Sequence, residues 1–190
     1  MSFIHHRTMG EGKPVVLLHG FCESNEIWGV FANILSQKCQ LIIPDLPGYG
    51  RSESLPGNFS IDDVGQAMWQ WLDGLAIKDP VLIGHSLGGY VTLAMTNQRM
   101  NSVSGFSLFH STAKADTAEK KKNRDKTIAF VNKNGVEPYI ETFVPGLFFN
   151  KQNPAMMEVY PIANSTPRET LVGYVGAMRD RPGRRNVLDD

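Results

Sequence analysis

Three short apolar runs, Val15 to Leu18, Leu41 to Pro44 and Pro80 to Ile83, are separated by stretches whose apolar residues recur at helical intervals. A four-residue apolar run bounded by turn residues has the length of a strand buried on both faces, and its parallel neighbour can be reached only through a long crossover. Ile27, Phe31, Ile34 and Leu35 predict the first crossover helix. The second opens on a capping-box signature, Ser60 and Asp63, and carries Ile61, Val64, Met68, Leu72 and Leu75 on one face. A helix follows through Val91, Leu93, Ala94 and Met95, and then a strand over Val103 to Phe109. The expected class is α/β, a mostly parallel sheet flanked by helices, with ligands at the carboxyl ends of the strands.

Gly84-His85-Ser86-Leu87-Gly88 spells G-x-S-x-G between a predicted strand and a predicted helix. A serine hydroxyl is a weak nucleophile until it is held exposed beside a base and an oxyanion site, and a tight strand-to-helix turn provides the exposure. Ser86 is therefore the candidate nucleophile. Leu87 offers a backbone N–H at the helix N-terminus, and the flanking glycines remove side chains where the turn is crowded.

After His110 the strand rhythm stops. Thr117 to Lys126 is strongly charged, Asn134-Gly135 reads as a helix stop, and Val136 to Tyr160 mixes aromatics, prolines and methionines. This predicts a helical cap over residues 113–165, inserted after a core of residues 1–112. A return helix over residues 166–190 is signalled by Thr166, Pro167 and Glu169. Phe143, Leu147, Phe148, Phe149, Met156 and Met157 are expected to form an apolar lid or to pack within the cap. The basic run from Lys120 to Lys126 is interrupted by Asp125 and reads as a solvated helix face, as do Arg179, Arg181, Arg184 and Arg185.

With Gly84 to Gly88, the stretch Val15-Val16-Leu17-Leu18-His19-Gly20-Phe21, the turn Asp45-Leu46-Pro47-Gly48-Tyr49-Gly50-Arg51-Ser52 and the tail Ala177-Met178-Arg179-Asp180-Arg181-Pro182, the chain resembles the α/β-hydrolase superfamily. The resemblance is to its small, lidded branch of esterases, lactonases and carbon–carbon-bond hydrolases. It implies Ser86 as nucleophile and the backbone N–H groups of Phe21 and Leu87 as the oxyanion hole. Serine at the nucleophile position sets the chain apart from the dehalogenases and epoxide hydrolases of the superfamily, which use aspartate there. The superfamily order is serine, acid, histidine. The resemblance places that acid and histidine on C-terminal strands that the 190 residues do not contain, so both are unassigned here.

Five histidines are candidates for other work. His5 and His6 are expected at the solvent-exposed N-terminus. His19 is expected to make structural hydrogen bonds in the oxyanion loop, His85 to point away from the serine across the turn, and His110 to line the pocket. Asp116 is expected to belong to the cap. Cys22, next to Phe21, could face the pocket but lacks the strand-turn-helix setting of a nucleophile.

Lysine plus arginine equals aspartate plus glutamate at 19 each, so no net field draws the chain to nucleic acid or an anionic membrane. Cys22 and Cys39 form no C-x-x-C pair, and no histidine lies at metal-ligand spacing from them. No metal and no cofactor are implied, and with neither membrane span nor signal peptide in evidence the expected location is cytoplasmic. The expected reaction is hydrolysis of a small apolar ester, lactone or thioester through an acyl-enzyme on Ser86. The alternative is a catalytically incomplete protein that holds a small ligand, or one completed by a second copy or another chain.

Overall fold

The computed structural model describes residues 3–188; the outermost residues of the expected first and last segments, 1, 2, 189 and 190, lie outside the described residues. Five strands form one sheet: β1 (His6–Met9), β2 (Pro14–Leu18), β3 (Gln40–Pro44), β4 (Val81–His85) and β5 (Gly105–Phe109). Their order is β1-β3-β2-β4-β5, parallel throughout except that β1 runs antiparallel to β3. The apolar runs became strands because they are covered on both faces; Val16, Leu17, Leu18, Leu41, Ile42 and Ile43 are all buried.

β1 departs from the expectation of an exposed N-terminal segment. His6-Arg7-Thr8-Met9 has no apolar run to mark it, and it is held as an edge strand by pairing with Leu41 to Pro44.

Helices α2 (Ile61–Gly74), α3 (Leu87–Gln98) and α7 (Arg168–Asp180) lie on one side of the sheet, sharing a core with Val16, Leu18, Ile42 and Leu82. The Ser60–Asp63 capping box forms at the start of α2, with each side chain accepting from the other residue's backbone N–H. Leu75 falls beyond the helix end and is exposed.

The opposite face is covered by α1 (Gly29–Leu35), where Trp28 and Ala32 pack against Leu17, Leu41 and Ile43. The expected buried face of this helix is corrected: Phe31 and Ile34 are exposed. A 3-10 turn over Asn25–Trp28, capped by Ser24, enters the helix so that Trp28 and Ala32, four residues apart, meet the sheet.

Three further helices, α4 (Ala118–Asn134), α5 (Glu137–Gly146) and α6 (Met156–Asn164), fill the stretch read as a cap. Their inner face reaches the sheet's carboxyl end, where Phe143 and Tyr139 meet the ring of Phe21 edge-on. Along that same rim Cys22, Ser86 and His110 have φ values of 57°, 49° and 49°. Non-glycine residues rarely adopt this left-handed region, and each such residue costs about 1 to 3 kcal/mol.

Candidate active site

Ser86 follows the last residue of β4 and precedes the first of α3, with φ 49° and ψ −109°. The sequence permits this turn because Gly84 and Gly88 have no side chain. A Cβ on Gly84 would run into the carbonyl of Gly88, and one on Gly88 into the carbonyl of Leu18. The Ser86 N–H donates to the Phe109 carbonyl at 2.9 Å, and the Ser111 hydroxyl donates to the Ser86 carbonyl at 2.7 Å. Both bonds tie the turn to the end of β5.

Opposite the turn runs the loop after β2. Gly20 N–H donates to Glu23 Oε2 at 2.6 Å, and the same oxygen meets His85 Nδ1 at 2.9 Å. One buried carboxylate thus joins this loop to the residue beside Ser86. Among the described residues, neither the Phe21 nor the Leu87 backbone N–H donates a hydrogen bond.

His19 Nδ1 bonds the Gly20 carbonyl at 2.8 Å while its Nε2 accepts the Leu46 N–H at 2.9 Å. That pair of partners fixes a neutral ring. Desolvation agrees, holding the His19 pKa below the ordinary histidine value against the weaker pull of the Gly20 carbonyl and nearby carboxylates.

The D-x-P-G-x-G-x-S turn is organised around buried Asp45. Its carboxylate takes the Asn25 N–H at 2.7 Å and the Arg51 N–H at 3.1 Å, and meets His5 Nδ1 at 2.9 Å. His5 is therefore half-buried rather than solvent-exposed as expected from the sequence. His6 packs edge-on against Trp71.

Ser86 opens into a cavity of about 540 Å³, which His85 and His110 also line. Phe21, Phe143, Leu147, Phe148 and Met178 make it largely apolar. His85 does not turn away from the cavity as the sequence implied, because Glu23 holds its Nδ1 from the side of the loop after β2. Cys22 is buried outside the cavity lining, and desolvation pushes its thiol pKa well up, opposed by a hydrogen bond with Thr166. It is a core residue with a protonated thiol.

Arg124, Arg181 and Arg184 depart from the solvated faces expected of them, whereas Lys120, Lys122, Lys126 and Arg185 are exposed. Arg181 is buried, with Nη1 2.9 Å from Asp116 Oδ1 and its guanidinium 3.8 Å from the centre of the Tyr90 ring. Arg124 Nε donates to Asp116 Oδ2 at 3.1 Å, and Arg124 lines the cavity. Arg184 is buried and paired with Asp62.

The residues that sequence reasoning missed are Glu23, Ser111, Arg124 and the Asp116–Arg181 pair. Glu23 stands 62 positions from its partner His85, and no local pattern announces such a contact. Among the described residues no group of three or more His, Cys, Asp or Glu side chains could hold a metal ion, and no helix is long and apolar enough to cross a membrane.

The alpha/beta hydrolase fold family matches residues 13–168. A thermophilic esterase from Thermogutta terrifontis superposes with a TM-score of 0.89 at 25% identity, over 98% of this chain and 70% of that one. A putative carbamate hydrolase, RutD, from Caulobacter segnis is 24% identical over 88% of this chain and 66% of its own length. A pimeloyl-[acyl-carrier protein] methyl ester esterase from Vibrio vulnificus is 33% identical over 53% of this chain and 38% of its own. The chain thus spans less than two thirds of these curated relatives.

Proposed function

The chain belongs to the α/β-hydrolase fold family, and from that premise we propose that it is a serine hydrolase of a small ester, lactone or thioester, working through an acyl-enzyme on Ser86. The observation that carries this reading is the left-handed Ser86 backbone at the apex between β4 and α3, open to the cavity. Strain of this kind persists where the surroundings over-determine it, as they do through Gly84, Gly88, Phe109 and Ser111.

In this reading Ser86 Oγ attacks the acyl carbon and its proton leaves with the alcohol or thiol. The oxyanion of the tetrahedral intermediate accepts from the Phe21 and Leu87 N–H groups, each donor worth about 3 to 4 kcal/mol in a dry site. Water then attacks the acyl-enzyme and Ser86 is regenerated. The general base and its acid are not assigned to any of the 190 residues. His19 is committed through both ring nitrogens to structural bonds, which removes it as a base. A relative named for a methyl ester supports the ester class.

The test compares turnover of p-nitrophenyl butyrate by the protein and by Ser86→Ala, together with covalent labelling by a fluorophosphonate. With a complete triad the variant should lose roughly four to six orders of magnitude in kcat and all labelling. Equal turnover and equal labelling overturn the proposal and favour a protein that only holds its ligand.

A further inference from the structure

Resting on Ser86 as the reacting centre, we infer that the cavity selects acyl compounds bearing a carboxylate, and that Arg124 is the residue that binds it. Asp116 sits between two guanidiniums, Arg181 on Oδ1 and Arg124 on Oδ2, so one negative charge is shared by two positive ones. Arg181 is used up within the fold: it also donates to the Met178 carbonyl at 2.5 Å and the Lys114 carbonyl at 3.1 Å, and lies on the Tyr90 ring. Arg124 is not. Its Nε is spent on Asp116, and among the described residues its two Nη groups carry no hydrogen bond while the residue lines the cavity.

The surplus positive charge of the cluster therefore resides on the planar pair of donors of Arg124, which lines the cavity together with Phe143, Phe148 and Met178. A guanidinium anchored through Nε presents its remaining edge as a preorganised fork, the geometry that binds a carboxylate through two parallel hydrogen bonds. Glu23, which also lines the cavity, forms no ion pair with Arg124 among the described residues; its Oε2 takes the Gly20 N–H and meets His85 Nδ1. A substrate with its acyl carbon at Ser86 and a free carboxylate further along its chain would engage both of these lining residues, and a monoester or monothioester of a dicarboxylic acid has that form.

The experiment uses two unreactive ligands of equal length, glutaramate and pentanamide, which differ in carrying a carboxylate or a methyl at the end remote from the amide. Dissociation constants come from ligand-observed NMR titrations of the wild type, Arg124→Gln, Arg124→Lys and Ser86→Ala. The expected result is a ten- to hundredfold preference for glutaramate, the range of one charged hydrogen-bonded contact. That preference should persist in Ser86→Ala, weaken in Arg124→Lys and vanish in Arg124→Gln. Equal binding of the two ligands by the wild type, binding of neither at millimolar concentration, or a preference that survives Arg124→Gln overturns the inference. The wild-type comparison decides the matter even if a variant fails to fold. No step requires turnover, so failure here is distinct from failure of Ser86 to react with the fluorophosphonate.

Discussion

Glu23 and His19 are the two side chains that tie down the loop after β2, and each makes a quantitative prediction. Glu23→Ala would leave the Gly20 N–H and His85 Nδ1 facing a buried void where a carboxylate oxygen had served both. An unmade buried bond costs about 1 to 3 kcal/mol, so the variant should lose about 2 to 5 kcal/mol in urea denaturation, with Glu23→Gln keeping part of it. An unchanged midpoint would contradict the clamp. For His19 the sign follows from a folded-state pKa below the unfolded value of about 6.5. The unfolded chain takes up a proton below that pH while the folded ring does not, so stability declines as pH falls below about 6.5, until the folded ring itself protonates. His19→Gln, although less stable throughout, should flatten this part of a stability-against-pH curve. At this scale the turn that carries Ser86 and the structural hydrogen bonds of His19 were legible because each lies in a contiguous stretch with its own turn geometry. Glu23 and Arg124 were not, since what matters about them is a partner elsewhere in the chain or the direction of a side chain on a charged helix.

Elements are joined by a few polar contacts whose removal can be costed. Asp116, just ahead of α4, holds Arg124 within α4 and Arg181 just past α7. Asp116→Ala strands two positive charges in a largely dry place, and breaking a buried pair in this way costs about 3 to 5 kcal/mol. The expected signs are a melting temperature lowered by several degrees and faster proteolytic cutting within α4. At the other end of the range, Ser60→Ala removes the α2 cap and should cost about 1 kcal/mol. Hydrogen bonds from the Ser60 hydroxyl and backbone hold the Asp63 carboxyl below its ordinary pKa, so this contribution is present at neutral pH, begins to fade as pH falls through the unfolded carboxyl's pKa and is lost once the folded carboxyl also protonates. The α2 cap was readable because both partners lie within four residues. Helix α1 was misread because its apolar residues nearly encircle it, and which of them face inward is set by the 3-10 turn that precedes it. Strand β1 carries no pattern at all and owes its existence to its neighbour β3.

For the molecule as a whole, alternation of apolar runs and helical stretches was enough to foresee a parallel sheet, whereas the packing of α4, α5 and α6 over its carboxyl end depended on distant contacts. The two faces of that sheet are unequal. Among the described residues, helices α2, α3 and α7 cover one face and the seven-residue α1 lies on the other, where Val30, Phe31 and Ile34 stand in solvent with Phe109 also exposed at the end of β5. Exposed apolar side chains concentrated in one region drive association. Light scattering should therefore show mass rising with concentration, and Phe31→Lys with Ile34→Lys should suppress the rise; a constant monomer mass would refute it. The rim carries a different consequence. Glycine at His110, an exposed residue that lines the cavity, would adopt the required φ without steric cost. A laboratory selection that rewarded heat resistance and ignored turnover would thus be drawn toward the mouth of the cavity, and its winners would be sturdier proteins with a blunted site.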